Sequence, residues 1–198
     1  PDAMARSLRL AAPTQGVALL VLLLSVPGPG ASQVGGETGG SSRGAPMHPI
    51  DPEAAPRPVA RATRTDLPVV VDGLLDEAAW EAAETITGFV QAQPDVGYPA
   101  SEETVVRVLL DDRFLYVGAL LLDSQPGQIV AQYLNQDYET HDDDTFAVTL
   151  DTFLDRRNSF MFLINPNGAV KDGQTFDNSR TTNLAWEGVS QVRTSIHE

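Results

Sequence analysis

The sequence predicts an all-β chain, an antiparallel β-sandwich with one short helix. Three observations carry this expectation. Residues 144–151 alternate apolar and polar side chains, with Phe146, Val148 and Leu150 on one face, and Phe160, Phe162 and Ile164 repeat the pattern. Two apolar runs, Thr104–Leu110 and residues 114–122, flank the short polar turn Asp111-Asp112-Arg113, which reads as a β-hairpin. Turn residues recur at short intervals, as at Asp72-Gly73, Pro126-Gly127 and Asn165-Pro166-Asn167-Gly168.

Taken in order, Val69-Val70-Val71 is a β-branched run that predicts a strand ended by Asp72-Gly73. Residues 76–84, DEAAWEAAE, have high helix propensity, with Asp76 and Glu77 at the end where the dipole favours anions. Trp80 on that helix is expected to point back onto a sheet. Residues 91–101 hold Pro94, Gly97 and Pro99 and predict a loop. The second hairpin strand, FLYVGALLL, is apolar nearly throughout, so burial over most of its length or on both faces is expected. Residues 129–134 predict a short strand or an irregular segment. Residues 169–172 start another strand, 173–183 read as a polar loop, and 188–196 as a final strand. Roughly five to seven strands at this spacing, with no long amphipathic helix, argue for a sandwich.

The first 65 residues read differently. Met4 is the expected start, Arg6 and Arg9 supply a positive region, and residues 17–26 are apolar or small. Pro27-Gly28-Pro29-Gly30 and the small Ala31 and Ser32 follow, which completes the three parts of a secretory signal peptide over residues 4–32. Ten residues are too few for a helix to cross about 30 Å of hydrocarbon. Residues 33–65, rich in Gly, Ser, Pro and Arg without apolar periodicity, predict a disordered linker, and His48 belongs to it. The folded domain is expected over residues 66–198, ending without a polar tail, as a domain lacking its C-terminal part would.

The 198 residues carry 13 Lys and Arg against 27 Asp and Glu, a formal charge of −14. The acidity falls on residues 66–198, which hold seven basic and 23 acidic side chains. Nucleic acid is thereby an improbable partner, because phosphate contacts need clustered Lys and Arg. The absence of cysteine removes disulfides, thiolate metal sites and a Cys nucleophile. The chain contains no GxSxG, Walker, HExxH or GxGxxG motif, and its three histidines stand in separate contexts. A non-catalytic role is expected.

Two groups of residues are candidates for binding. Asp137, Glu139, Asp142, Asp143 and Asp144 place five carboxylates within eight residues. Such a cluster either holds a hard cation such as Ca²⁺, which takes six to eight oxygens, or forms a solvated acidic loop; the spacing is not that of an EF-hand. Asp172 with Asp177 is a weaker cluster. Sugar rings stack their C–H faces on aromatic side chains, so aromatics in or beside loops are candidates for sugar binding: Trp186, Tyr98, Tyr133 and Tyr138. A packing role for Trp186 stands beside the platform role. Trp80 and Tyr116 are expected in the core.

The run from Val70 to Trp80 (VVDGLLDEAAW) resembles the opening of family 9 carbohydrate-binding modules. The similarity continues through Phe114-Leu115-Tyr116-Val117-Gly118, Asp123, the stretch from Asp144 to Phe153, Asp155, Arg157, Asn165-Pro166, Gly168 and Trp186-Glu187. The resemblance implies a jelly-roll-like sandwich that binds sugars and often carries calcium, in some members attached to glycoside hydrolases. It is nearest to bacterial proteins with a signal peptide, this domain, and a C-terminal region resembling an outer-membrane barrel. The implied partner is a polysaccharide or oligosaccharide, and the implied place is the periplasm, outer membrane or exterior. Two other readings stand: a structural or interaction domain tethered to such a barrel without sugar binding, and part of a glycoside hydrolase.

Overall fold

The computed structural model describes the backbone of residues 16–25 and all of residues 59–197. Residues 4–15 of the expected leader, and everything from 26 to 58, lie outside the described residues. The fold is all-β in two sheets, with one short helix. Among the described residues no helix is long and apolar enough to cross a membrane.

The first sheet holds β1 (Gly16–Ser25), β2 (Thr63–Arg64), β3 (Thr85–Ile86), β4 (Thr104–Leu110), β5 (Phe114–Asp123) and β10 (Ser190–His197). Its order is β10-β1-β5-β4-β2, with β3 also on β4. The second sheet is a meander of β6 (Phe146–Leu150), β7 (Ser159–Ile164), β8 (Val170–Phe176) and β9 (Thr181–Asn183). All pairings are antiparallel except β2 with β4.

The expected hairpin is present, from Leu110↔Leu115 at its tip to Thr104↔Leu121. Asp111 shapes the turn: its carboxylate accepts from the backbone N–H of Arg113 and of Phe114 and from the Tyr116 hydroxyl, each at 2.7 Å. Partial burial pushes the Asp111 carboxyl up, but these bonds together outweigh it and hold the group below its ordinary range.

β5 is buried on both faces, as its composition demands. Val117 and Ala119 face the second sheet and join Val106, Phe162, Ile164 and Val192 in one core cluster. Tyr116, on the alternate face, joins Leu109, Ala79, Trp80 and Ala83 in another. The helix α1 (Ala78–Glu81) that supplies this second cluster is shorter than residues 76–84 promised. It nevertheless seats Trp80 on the sheet at 1% exposure, as expected. Gly118 lets it in: a Cβ there would lie 2.6 Å from a Leu75 methyl and 3.0 Å from the indole.

Four segments differ from what the sequence predicts. Residues 69–71 form no strand; Val69 and Val71 pack against the helix-side core while the free edge of β4 pairs with β2 and β3. The described fold takes in Thr63–Arg64, inside the stretch expected as linker, with Thr65 buried and donating to Leu110 O at 2.9 Å. Residues 173–183 are a hairpin and not a loop: Asp177, Asn178 and Ser179 all take positive φ and turn β9 back onto β8. Residues 16–25, within the expected leader, run as the strand between β5 and β10.

Candidate functional site

The acidic cluster lies against residues 129–134, which run alongside it without forming a strand. That segment leaves backbone groups that a sheet would have paired, and the carboxylates pair them instead. Asp143 accepts from Gln132 N at 2.7 Å, from Tyr133 N at 3.2 Å and from the Asn165 amide at 2.7 Å. Asp144 exchanges two bonds with Val130, accepting its N–H at 2.9 Å and donating its own N–H to Val130 O at 3.0 Å. Asp142 accepts from the Tyr133 hydroxyl at 3.1 Å and lies 3.2 Å from the His141 ring. Burial pushes the Asp143 carboxyl up, yet the bonds from Gln132, Asn165 and Tyr133 prevail and hold it below its usual value.

Asn165, 1% exposed at the end of β7, ties this strap to the second sheet. Its amide also donates to Tyr133 O at 2.9 Å, and its carbonyl accepts from Ala169 N at 2.8 Å. Asp137 takes a positive φ of 58° and donates its N–H to Val170 O at 3.0 Å, while Glu139 lies exposed near His141. Among the described residues no three acidic or histidine side chains converge in a way that could hold a metal ion. Asp172, of the weaker cluster, is buried and accepts from Gly188 N at 2.5 Å, whereas Asp177 pairs with Arg157 at 2.9 Å.

The four candidate aromatics separate. Tyr138 is 1% exposed, its ring 6.2 Å from that of Tyr133 and its hydroxyl 3.2 Å from Thr145 Oγ1. A buried ring offers no face to a sugar, so Tyr138 is packing. Trp186 lies 4.6 Å from the Phe160 ring at a tilt of 33° and meets Phe162 edge-on at 5.9 Å. It is half-buried against the inter-sheet core, so of its two expected roles the geometry expresses packing. Gly188 admits it, since a Cβ there would lie 2.8 Å from the indole. Tyr133 is half-buried and held by Asp142. Tyr98 alone of the four is exposed, in a loop closed by Gln91 N to Tyr98 O at 2.7 Å and Tyr98 N to Asp95 O at 3.0 Å.

A cleft of about 270 Å³ opens where β5 ends, β6 begins, β7 ends and β10 passes. Glu102, Asp123 and Asp144 are acidic residues of its lining, and Thr145, Asn165, Thr194 and Ser195 are its neutral polar residues. Leu121, Ile129, Phe146 and Ile164 give an apolar wall. Some of the polar groups already have partners: Ser124 donates to Glu102 at 2.5 Å, Gln125 N to Asp123 at 2.7 Å, and Ser195 to Gly73 O at 2.7 Å. Carboxylates beside an apolar wall suit a polyol, whose hydroxyls donate while its C–H face packs. Of the residues singled out as a site from sequence, only Asp144 reaches this cleft. Glu102 and Thr194 gave no signal there, because nothing in their spacing says that β4, β5 and β10 bring them together.

No family model, no curated protein and no solved structure matches this chain.

Proposed function

We propose that the folded part is a non-catalytic carbohydrate-binding domain of an exported protein that serves polysaccharide breakdown or uptake. The observation that carries this reading is the cleft of about 270 Å³, where three acidic and several neutral polar residues stand beside an apolar wall. The resemblance of the Val70–Trp80 run to family 9 carbohydrate-binding modules supports it, as does the two-sheet fold. Of the four candidate aromatics, Tyr98 is the exposed one, on its loop.

Calcium is not part of this proposal: among the described residues no three carboxylates of the 137–144 stretch converge on one point, and Asp142, Asp143 and Asp144 each accept a bond from a protein donor. A second reading, a structural domain tethered to an outer-membrane barrel without a sugar ligand, draws on the packing of Trp186 and Tyr138. Titration calorimetry of the chain against xylo-, cello- and manno-oligosaccharides separates the two. Saturable heat that weakens when Asp123 or Asp144 is replaced by Ala is the expected result. No heat at millimolar sugar favours the second reading.

A further inference from the structure

One strand of the first sheet is joined to the rest in an unusual way. β1 lies between β5 and β10 and is antiparallel to both. Its register runs from Gly16↔Asp123 to Ser25↔Phe114 on one side and from Val17↔His197 to Leu24↔Ser190 on the other. Among the described residues β10 has no other ladder partner. Yet β10 is part of the fold: Val192, 8% exposed, belongs to the inter-sheet core, and Ser195 holds Gly73 O. Removing β1 would leave two facing strand edges about 10 Å apart, each with a row of unpaired N–H and C=O groups. Such a gap is wide enough for one strand and too narrow for anything else.

We propose that the space between β5 and β10 is a strand-acceptor slot, and that residues 16–25 of this chain occupy it by β-augmentation. The slot selects an extended segment antiparallel to both edges. It favours an apolar one, because the neighbouring Val117, Ala119 and Val192 line the inter-sheet core. The sequence GVALLVLLLS meets that demand. A consequence rests on the export reading of the same residues: cleavage near Ala31 cuts the covalent link to the strand, and the leader then closes the sheet only as long as it stays bound in trans.

The absence of cysteine makes the test clean. The full chain carrying Leu20→Cys and Thr194→Cys, which are register partners, is compared with one carrying Leu20→Cys and Ser190→Cys, which are not. The slot predicts disulfide formation at least about tenfold faster for the first pair, because register raises the effective concentration. Equal rates, or none for either pair, overturn the assignment of residues 16–25. A protease site inserted between Gly39 and Gly40 tests the slot without changing the strand. After cutting, the N-terminal piece is expected to co-elute with the remainder. Its release from a remainder that keeps the melting temperature of the uncut chain overturns the slot. N-terminal sequencing of the exported protein reads the export step independently, so its failure and that of the slot are distinguishable.

Discussion

The Asp143 carboxylate and the Asn165 side-chain amide, 22 residues apart, meet at 2.7 Å with both residues buried. Through this pair the acidic cluster is bound to the end of β7, and the segment 129–134 is held between them. Replacing Asn165 by Ala removes a donor from Asp143 and from Tyr133 O, and an acceptor from Ala169 N. Buried groups left unpaired cost about 1–3 kcal/mol. Urea denaturation of Asn165→Ala is expected to show a loss in that range. The double variant with Asp143→Asn should lose less than the two single losses together, since both break one network.

Acid is expected to act on the same strap. Asp143 and Asp111 are both held below their ordinary values, by hydrogen bonds that outweigh burial. A depressed carboxyl stabilises the fold fully above its unfolded pKa of about 3.9, and the contribution is lost as pH falls through the lowered folded value. Stability should therefore hold on this account down to about pH 4 and decline below it, with a shallower decline in Asp143→Asn. At the alkaline end Tyr116 is pushed up to about 12, by burial first and then by its bond to Asp111. A raised phenol favours the fold below its unfolded pKa of about 10, and that contribution fades as pH rises toward 12. Denaturation curves taken across both windows read these slopes.

Trp186 and Tyr98 should answer differently to truncation. Trp186→Ala strips a side chain packed on Phe160 and Phe162 and is expected to cost roughly 2 kcal/mol or more. Tyr98→Ala removes an exposed ring and should leave the melting temperature nearly unchanged while weakening any sugar affinity. Thermal denaturation beside calorimetry separates the two effects.

Chelation is expected to leave the melting temperature where it is. Among the described residues no three carboxylates converge on one point, so no ion bound only to the folded state adds to its stability by mass action. A fall of several degrees on adding chelator, reversed by calcium, would show a bound ion.

How far the sequence was legible depends on the range of the interaction. The β4–β5 hairpin and the two-faced burial of β5 were legible, because an apolar run on each side of Asp111-Asp112-Arg113 states them locally. Trp80 was legible too, through its place among the alanines of a short helix. Residues 69–71 misled: their β-branched side chains speak for a strand, but the β4 edge was taken by Thr63–Arg64 and Thr85–Ile86, a competition no local pattern records. β9 hid in the polar Thr181–Asn183, and its one local signal was the Asp-Asn-Ser run that turns with positive φ. The acids were visible as a cluster. Their task was not, since nothing near them in sequence shows that Val130, Gln132 and Tyr133 would bring N–H groups to them.

Whether sugar binds in the cleft is read by an amide NMR titration of the chain with the same oligosaccharides. Saturable shifts centred on Glu102, Asp123, Thr145 and Thr194, at the junction of the two sheets, are expected. The absence of any shift at millimolar sugar, or shifts confined to residues far from that cleft, would contradict the proposal.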